Sequence, residues 1–135
     1  MEIEFHLKSI QEIVNNAFQV VFISGPYRAD TPRQIQRNIN KAAEVALKYW
    51  KMGYAVICPH TYCIIYGECV DSVWLEGDLE MLRRCDGIVM MEGWENSKGS
   101  EMEHAFANEF GIKVIYEKSE TTNNNLRYAN TTKKG

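Results

Sequence analysis

Apolar residues form two alternating patterns along the chain: short continuous runs, and stripes at helical spacing. The runs are Val20-Val21-Phe22-Ile23, Tyr54-Ala55-Val56-Ile57, Gly87-Ile88-Val89-Met90-Met91 and Ile112-Lys113-Val114-Ile115-Tyr116. Short runs that are apolar on both faces are typical of buried strands in a parallel sheet. The pattern therefore predicts four strands.

The stripes at helical spacing lie before and between these runs. They predict helices over residues 3–16, over about 32–52, from 71 or 72 to about 84, and over about 99–110. Thr31-Pro32 gives the second of these helices a capping hydroxyl and a proline at its first position. Residues 59–70 show neither pattern, and an irregular loop is expected there.

Strands that alternate with helices at this spacing predict an α/β fold. We expect a single-domain three-layer sandwich, in which helices cover both faces of a four- to five-stranded parallel, flavodoxin- or Rossmann-like sheet. By analogy with flavodoxin-like sheets the expected strand order is 2-1-3-4. The domain is predicted to span residues 1–117, with an appended helix over 1–17, and a polar, flexible tail to follow over 118–135. Functional residues are expected just after the strands, where such sheets bind ligands.

Composition and charge narrow the class of protein. The 135 residues are 45% hydrophobic and 24% charged, which suits one globular core. A net charge of -3 gives no sign of a basic surface for duplex nucleic acid. No apolar run reaches the roughly 18 residues that a membrane span needs, and the N-terminus lacks a signal-peptide pattern. The expected location is the cytoplasm.

Cysteine and histidine residues after the second strand raise the question of a metal site. A zinc site from Cys58, His60, Cys63 and Cys69 is conceivable, but the spacing fits no common zinc pattern. Reduced thiols in a cytosolic protein are the favoured interpretation.

Candidate ligand-binding residues follow the first two strands. Gly25 would allow close approach of the backbone, and Arg28 is a cation at the edge of the sheet. His60 follows the second strand, where it is either an ordinary loop residue or a ligand contact.

The segment after the third strand leads into a helix N-terminus. Ser97, Gly99 and Ser100 would combine hydroxyls, backbone N–H groups and the helix dipole, which favours an anion such as phosphate. The same residues could also serve as helix caps alone. Glu103 follows one turn into the helix, where an acid can simply complement the dipole. It shares a face with Ser100 and Ala107.

The other apolar face of that helix carries Met102, Phe106 and Phe110. This face is the expected core face, so Glu103 is expected to project near the strand ends rather than into the core. In the preceding helix Asp78 lies between Glu76 and Glu80, and a solvated acidic face is the simplest interpretation. Gly77 costs about 1 kcal/mol relative to alanine there, which suggests that a ligand or another helix approaches closely.

Four segments together resemble a known enzyme superfamily. They are Ile23-Ser24-Gly25-Pro26-Tyr27, the helix with Arg37 and Asn38, Leu82-Arg83-Arg84-Cys85-Asp86-Gly87, and the segment 93–103. The most specific parts are the Ser-x-Gly-x-x-x-Glu arrangement ending at Glu103 and the Asp-Leu-x-x-Leu segment beginning at Asp78. Over roughly residues 19–117 the chain resembles the nucleoside 2-deoxyribosyltransferases and the related deoxynucleoside 5'-monophosphate N-glycosidases.

The resemblance implies roles for particular residues. Glu103 would be the catalytic carboxylate that attacks C1', and Asp78 would contact the base and the leaving group. Ser97 would bind a substrate phosphate, with Gly99 and Ser100 completing the loop. The aromatic residue and the arginine of the family's first loop fall on Tyr27 and Arg28, and Tyr27 is expected among the catalytic residues. Gly25 and His60 are expected substrate-binding residues from their places after the strands, and Trp94 is a candidate for stacking on the base by its position alone. Glu101 would oppose a substrate phosphate unless its side chain points away.

The resemblance also implies partners, and it leaves alternatives open. The substrate would be a small nucleoside or nucleotide, no metal or organic cofactor would be needed, and the protein would be a homodimer or higher homo-oligomer, with contacts near residues 33–50 and 72–84. Hydrolysis and transfer to a second base are both compatible with these residues. One alternative is a catalytically inactive nucleotide-binding module, since fold does not imply function. Another is a structural or partner-binding role for the aromatic-rich segment 59–66.

Overall fold

The computed structural model describes residues 19–67 and 69–118. The predicted helix over 1–17 and all of the predicted tail except Lys118 lie outside these ranges. The strands are β1 (Val20–Ser24), β2 (Ala55–Ile57), β3 (Gly87–Met90) and β4 (Lys113–Tyr116). The helices are α1 (Pro32–Lys51), α2 (Pro59–Tyr66), α3 (Asp71–Arg83) and α4 (Lys98–Glu109), and a 3-10 turn covers Trp94–Asn96.

The four strands form one parallel sheet in the order β2-β1-β3-β4. The predicted α/β class and the predicted strand order 2-1-3-4 are confirmed. In the central pair, Val21 of β1 lies opposite Gly87 of β3, and Ser24 lies opposite Met90. The carboxyl ends of β1 and β3 therefore meet at the same edge of the sheet.

Two apolar clusters lie on opposite faces of the sheet. Side chains of β1 and β3 alternate between them, with Val21, Ile23 and Val89 in one cluster and Phe22 and Ile88 in the other. Helix α1 covers the first cluster, and helices α3 and α4 cover the second. Because both central strands are buried on both faces, their apolar runs are continuous rather than alternating.

Helix α1 begins as predicted. The Thr31 hydroxyl accepts a hydrogen bond from the Gln34 N–H group at 3.1 Å, and Pro32 occupies the first helical position. The helix ends at Lys51, and Gly53 follows it with φ +97°, a conformation that L-residues with a side chain rarely adopt. No helix within the described residues has both the length and the apolar character that a membrane crossing requires.

The expected irregular loop over 59–70 is wrong for its first eight residues, which form helix α2. No side chain caps this helix, and its polar and apolar residues show little helical segregation, so the proline at its first position, Pro59, was a start signal without support from the pattern that follows it. Its contacts explain its formation instead. Tyr62 and Tyr66, four residues apart, stack with ring centroids 5.6 Å apart, and both rings pack near Trp74 of α3.

The expected core face of helix α4 is also wrong. Met102 and Phe110 are more than half exposed, whereas Glu103 is 7% exposed and Ala107 is fully buried. The small side chain of Ala107 lies in the cluster with Phe22 and Ile88, so this face of α4 packs on the sheet. Glu103 lies one turn earlier on the same face. It is therefore close to the strand ends, as expected, but it is buried there.

Candidate active site

A cavity of about 860 Å³ lies beyond the carboxyl end of β1. Its walls come from the loop after β1, helices α2 and α3, and the N-terminal turns of α4. This is the edge of the sheet where the sequence predicted functional residues, and the volume lies in the range of small-molecule sites. The aspartate, glutamate, lysine and arginine residues in the lining are Arg28, Asp71, Asp78, Lys98 and Glu103.

Glu103 is held at the end of β1 by a short hydrogen bond. The Ser24 hydroxyl donates to Glu103 Oε1 at 2.6 Å, and both residues are buried. Burial raises the pKa of Glu103 to about 8; the nearby Asp78 raises it further, and the Ser24 hydrogen bond opposes the rise. Glu103 is therefore mostly protonated at pH 7 and can exchange its proton near neutral pH.

Asp78 is the second buried carboxyl group of the cavity. The Tyr62 hydroxyl donates to Asp78 Oδ1 at 2.7 Å. Burial raises the pKa of Asp78, and this hydrogen bond partly opposes the rise. Its neighbours Glu76 and Glu80 are exposed, and Glu80 pairs with two arginines of α3 and its C-terminus. The simplest interpretation of Asp78 as part of a solvated acidic face is therefore wrong.

The glycine before Asp78 has no close neighbour that explains it. Among the described residues, no atom lies within 4 Å of the position that a Cβ of Gly77 would occupy. None of the described helices therefore approaches Gly77, and the approach of a ligand there stays a prediction.

His60 ties helix α2 to the loop after β1. Its Nε2 atom lies 3.1 Å from the Gly25 carbonyl oxygen and 3.0 Å from that of Pro26, and its ring meets the Tyr27 ring edge-on at 5.8 Å. Both oxygens are acceptors, so Nε2 carries the proton in the neutral ring. Burial lowers the pKa of His60, which keeps the ring neutral. His60 and Tyr27 both line the cavity.

Gly25 meets Met91, the residue after β3. A Cβ at Gly25 would lie only 2.6 Å from Met91 Sδ and 2.8 Å from Met91 Cβ. We expect Gly25→Ala to destabilise the protein by about 1–3 kcal/mol, because a buried methyl group would overpack this contact. Urea unfolding measures the effect.

The same substitution in a Met91→Ala background tests the cause. Alanine at position 91 removes Sδ and Cγ but keeps Cβ, so Gly25→Ala should be less costly there without becoming neutral. An equal cost of Gly25→Ala in both backgrounds would contradict this explanation.

The N-terminal turn of α4 forms part of the cavity wall. Ser97 caps the helix, and its hydroxyl accepts from the Ser100 N–H group at 3.3 Å. Ser97, Gly99 and Ser100 all line the cavity, as does the exposed Lys98. Ser100 Oγ is buried and has no hydrogen-bond partner among the described residues. The capping interpretation of Ser97 is confirmed, and the anion site predicted there stays a prediction.

Arg28 lines the cavity and has an exposed side chain. It forms an ion pair with Asp71, the first residue of α3, and both side chains are exposed. The guanidinium carbon lies 5.7 Å from the centre of the Tyr27 ring. Exposed ion pairs contribute little stability, so Arg28 can exchange this partner for a ligand at small cost.

Trp94 is the predicted site residue that the structure does not bring to the cavity. Its ring packs on His104 at 4.3 Å and near Tyr116 at 6.3 Å, and it contacts the cluster beneath α3 and α4. Trp74 of α3 lines the cavity instead. This aromatic residue is one that the sequence reasoning missed.

Three further residues were missed as site residues: Ser24, Tyr62 and Lys98. Ser24 and Lys98 lie inside two of the four segments that carry the resemblance, so their positions were a usable signal. Tyr62 could be recognised only by its partner 16 residues away.

The cysteines and histidine considered for zinc do not form a metal site. Within residues 19–67 and 69–118, no group of three or more His, Cys, Asp and Glu side chains could hold a metal ion. Cys58 and Cys85 are buried, and burial raises the pKa of each thiol to about 11. Such thiols are poor nucleophiles at neutral pH.

Fold and site define this protein as a parallel α/β domain with two buried carboxyl groups beyond the carboxyl edge of its sheet. A family described as a domain of unknown function (DUF4406) matches residues 19–116, which include all four strands. The chain belongs to this family. No curated protein matches it.

Proposed function

We propose that this protein acts on the N-glycosidic bond of a deoxynucleoside or its 5'-monophosphate. Glu103 would attack C1', and Asp78 would act on the base. The observation that carries this proposal is the pair of buried carboxyl groups in one cavity, each held by a hydroxyl group through a hydrogen bond. The resemblance of the motifs around Asp78 and Glu103 to nucleoside 2-deoxyribosyltransferases supports it.

The chemistry of the bond calls for two carboxyl groups with different tasks. Its cleavage builds positive charge on the sugar and negative charge on the departing base. An ionised Glu103 answers the first charge as a nucleophile, which gives a covalent intermediate. A protonated Asp78 answers the second by giving its proton to the base. Water then releases the sugar, or a second base accepts it.

The protonation states of Glu103 and Asp78 fit these two tasks only if Glu103 gives up its proton. With its pKa at about 8, Glu103 is ionised in a minority of molecules at pH 7. The transition state would favour the ionised form, because positive charge develops at C1' next to the carboxylate. The proposed reaction therefore starts from the ionised fraction of Glu103, which has lost its proton to solvent.

A 5'-phosphate on the substrate has possible partners at the cavity wall. Lys98, Arg28 and the N-terminus of α4 all line the cavity. Backbone N–H groups at a helix N-terminus favour anions. Glu101 is exposed and does not line the cavity, so its charge does not oppose a phosphate bound there.

A panel of substrates tests the proposed function. Purified protein is incubated with deoxynucleosides and with their 5'-monophosphates, with and without a second free base, and released base is separated by chromatography. We expect release from at least one member, and new nucleoside in the presence of the second base if transfer occurs. Binding without release of base from any member would refute the enzymatic proposal.

A nucleotide-binding module without turnover is the second candidate. The neutral state of Glu103 at pH 7 favours it, because a protonated carboxyl group is a weak nucleophile. In that case calorimetry would show binding of nucleotides, and the chromatograms would contain no free base. The two candidates therefore give different results in the same panel.

A further inference from the structure

We propose that Tyr62 is a positioning residue for Asp78: it holds one carboxyl oxygen so that the other faces the cavity as the proton donor. This inference rests on the proposed function for its role in catalysis. Tyr62 itself does not line the 860 Å³ cavity, whereas Asp78 does. Tyr62 would therefore act on the ligand only through Asp78.

The hydrogen bonds around Asp78 distinguish its two oxygens. Oδ1 accepts from the Tyr62 hydroxyl at 2.7 Å, and Oδ2 has no hydrogen-bond partner among the described residues. The Tyr62 oxygen also lies 3.9 Å from Met81 Sδ, which is a weak acceptor. The hydroxyl proton therefore points to Oδ1, and a neutral Asp78 carries its own proton on Oδ2.

Helix packing keeps this arrangement in place. The Tyr62 ring stacks on Tyr66 within α2 and lies 6.5 Å from Trp74, one turn before Asp78 in α3. Besides Tyr62, the titratable groups that interact electrostatically with Asp78 are Cys63 of α2 and Glu103 of α4. None of these side chains is a cation that would force Asp78 to ionise.

The orientation of Asp78 determines which ligand groups can form a hydrogen bond with it. A proton on Oδ2 forms a hydrogen bond only with an acceptor, such as the ring nitrogen of a departing base. It forms none with an N–H donor. Burial keeps Asp78 in its protonated form, and Tyr62 sets the direction in which that form donates its proton. Without Tyr62 the carboxyl group could rotate and present either oxygen.

Titration of Asp78 by carbon NMR tests the proposal without any need for activity. The carboxyl signal is identified by its absence in Asp78→Asn and is followed with pH in wild type, Tyr62→Phe and Tyr66→Phe. Phenylalanine at 62 keeps the ring and removes only the donor, so we expect the pKa of Asp78 to rise by about one pH unit. Tyr66→Phe is the matched control, because Tyr66 stacks on Tyr62 without a hydrogen bond to Asp78.

Turnover supplies the second readout. We expect Tyr62→Phe to lower kcat about tenfold with little change in KM, and to have no further effect in an Asp78→Asn background. An unchanged pKa of Asp78 in Tyr62→Phe, or an equal rise in Tyr66→Phe, would overturn the positioning role. A shifted pKa in a protein that releases no base would refute the proposed function and leave the hydrogen-bond role intact.

Discussion

Glu103→Gln is expected to lower release of base by about 10³-fold or more while the protein still binds its substrate. Glutamine has nearly the same shape and keeps an oxygen that can accept the Ser24 hydrogen bond. It cannot ionise, so it offers no nucleophile and no negative charge to the developing positive charge on the sugar. Chromatography measures release, and calorimetry with the substrate measures binding.

Glu101→Gln is the matched control for this experiment. Glu101 lies on the same helix, undergoes the same chemical change, and is exposed outside the cavity. It should release base at nearly the wild-type rate. If Glu103→Gln retained activity within a few-fold of that control, Glu103 would not be the nucleophile, and Asp78 would be the next carboxyl group to test.

The same substitution should stabilise the folded protein at alkaline pH. The pKa of Glu103 is about 8 in the folded state, against 4.5 for a glutamate exposed to water. The folded state thus holds a proton that the unfolded state has lost between these pH values. Its contribution to stability is fully present below about pH 4.5 and is lost as the pH rises through 8. Asp78 shifts in the same direction and adds to the trend.

Glutamine at position 103 removes the Glu103 part of this dependence. We expect Glu103→Gln and wild type to differ little near pH 5, and the variant to be more stable by on the order of 3 kcal/mol at pH 8.5. Urea unfolding of both proteins and of Glu101→Gln at pH 5, 7 and 8.5 measures this. A difference between Glu103→Gln and wild type that does not change with pH would show that Glu103 titrates normally.

The strands show how much of this fold the local sequence pattern predicts. All four apolar runs are strands, and the two that lie at the centre of the sheet, β1 and β3, are buried on both faces. The start of α1 was equally readable, since Thr31 and Pro32 act within one turn of the chain. These features depend on neighbours in sequence, and local physical chemistry is enough to predict them.

Which face of α4 packs on the sheet could be determined only from the tertiary structure. Met102, Phe106 and Phe110 make a more apolar stripe than Ser100, Glu103 and Ala107, yet the second stripe faces the sheet. Helical periodicity defines both stripes equally well and does not say which one packs. Close packing decides this, because small Ala107 and Ser100 allow α4 to lie against the sheet.

In the candidate site, too, the sequence predicted some features and only the tertiary structure decided the others. The sequence alone determined the sheet, its parallel order and the edge where Gly25, His60, Ser97 and Glu103 would follow the strands. Only the tertiary structure brought Ser24 to Glu103 across 79 residues and Tyr62 to Asp78 across 16, and it packed Trp94 away from the cavity. Periodicity along a chain predicts elements, whereas hydrogen bonds between distant residues exist only after those elements have packed.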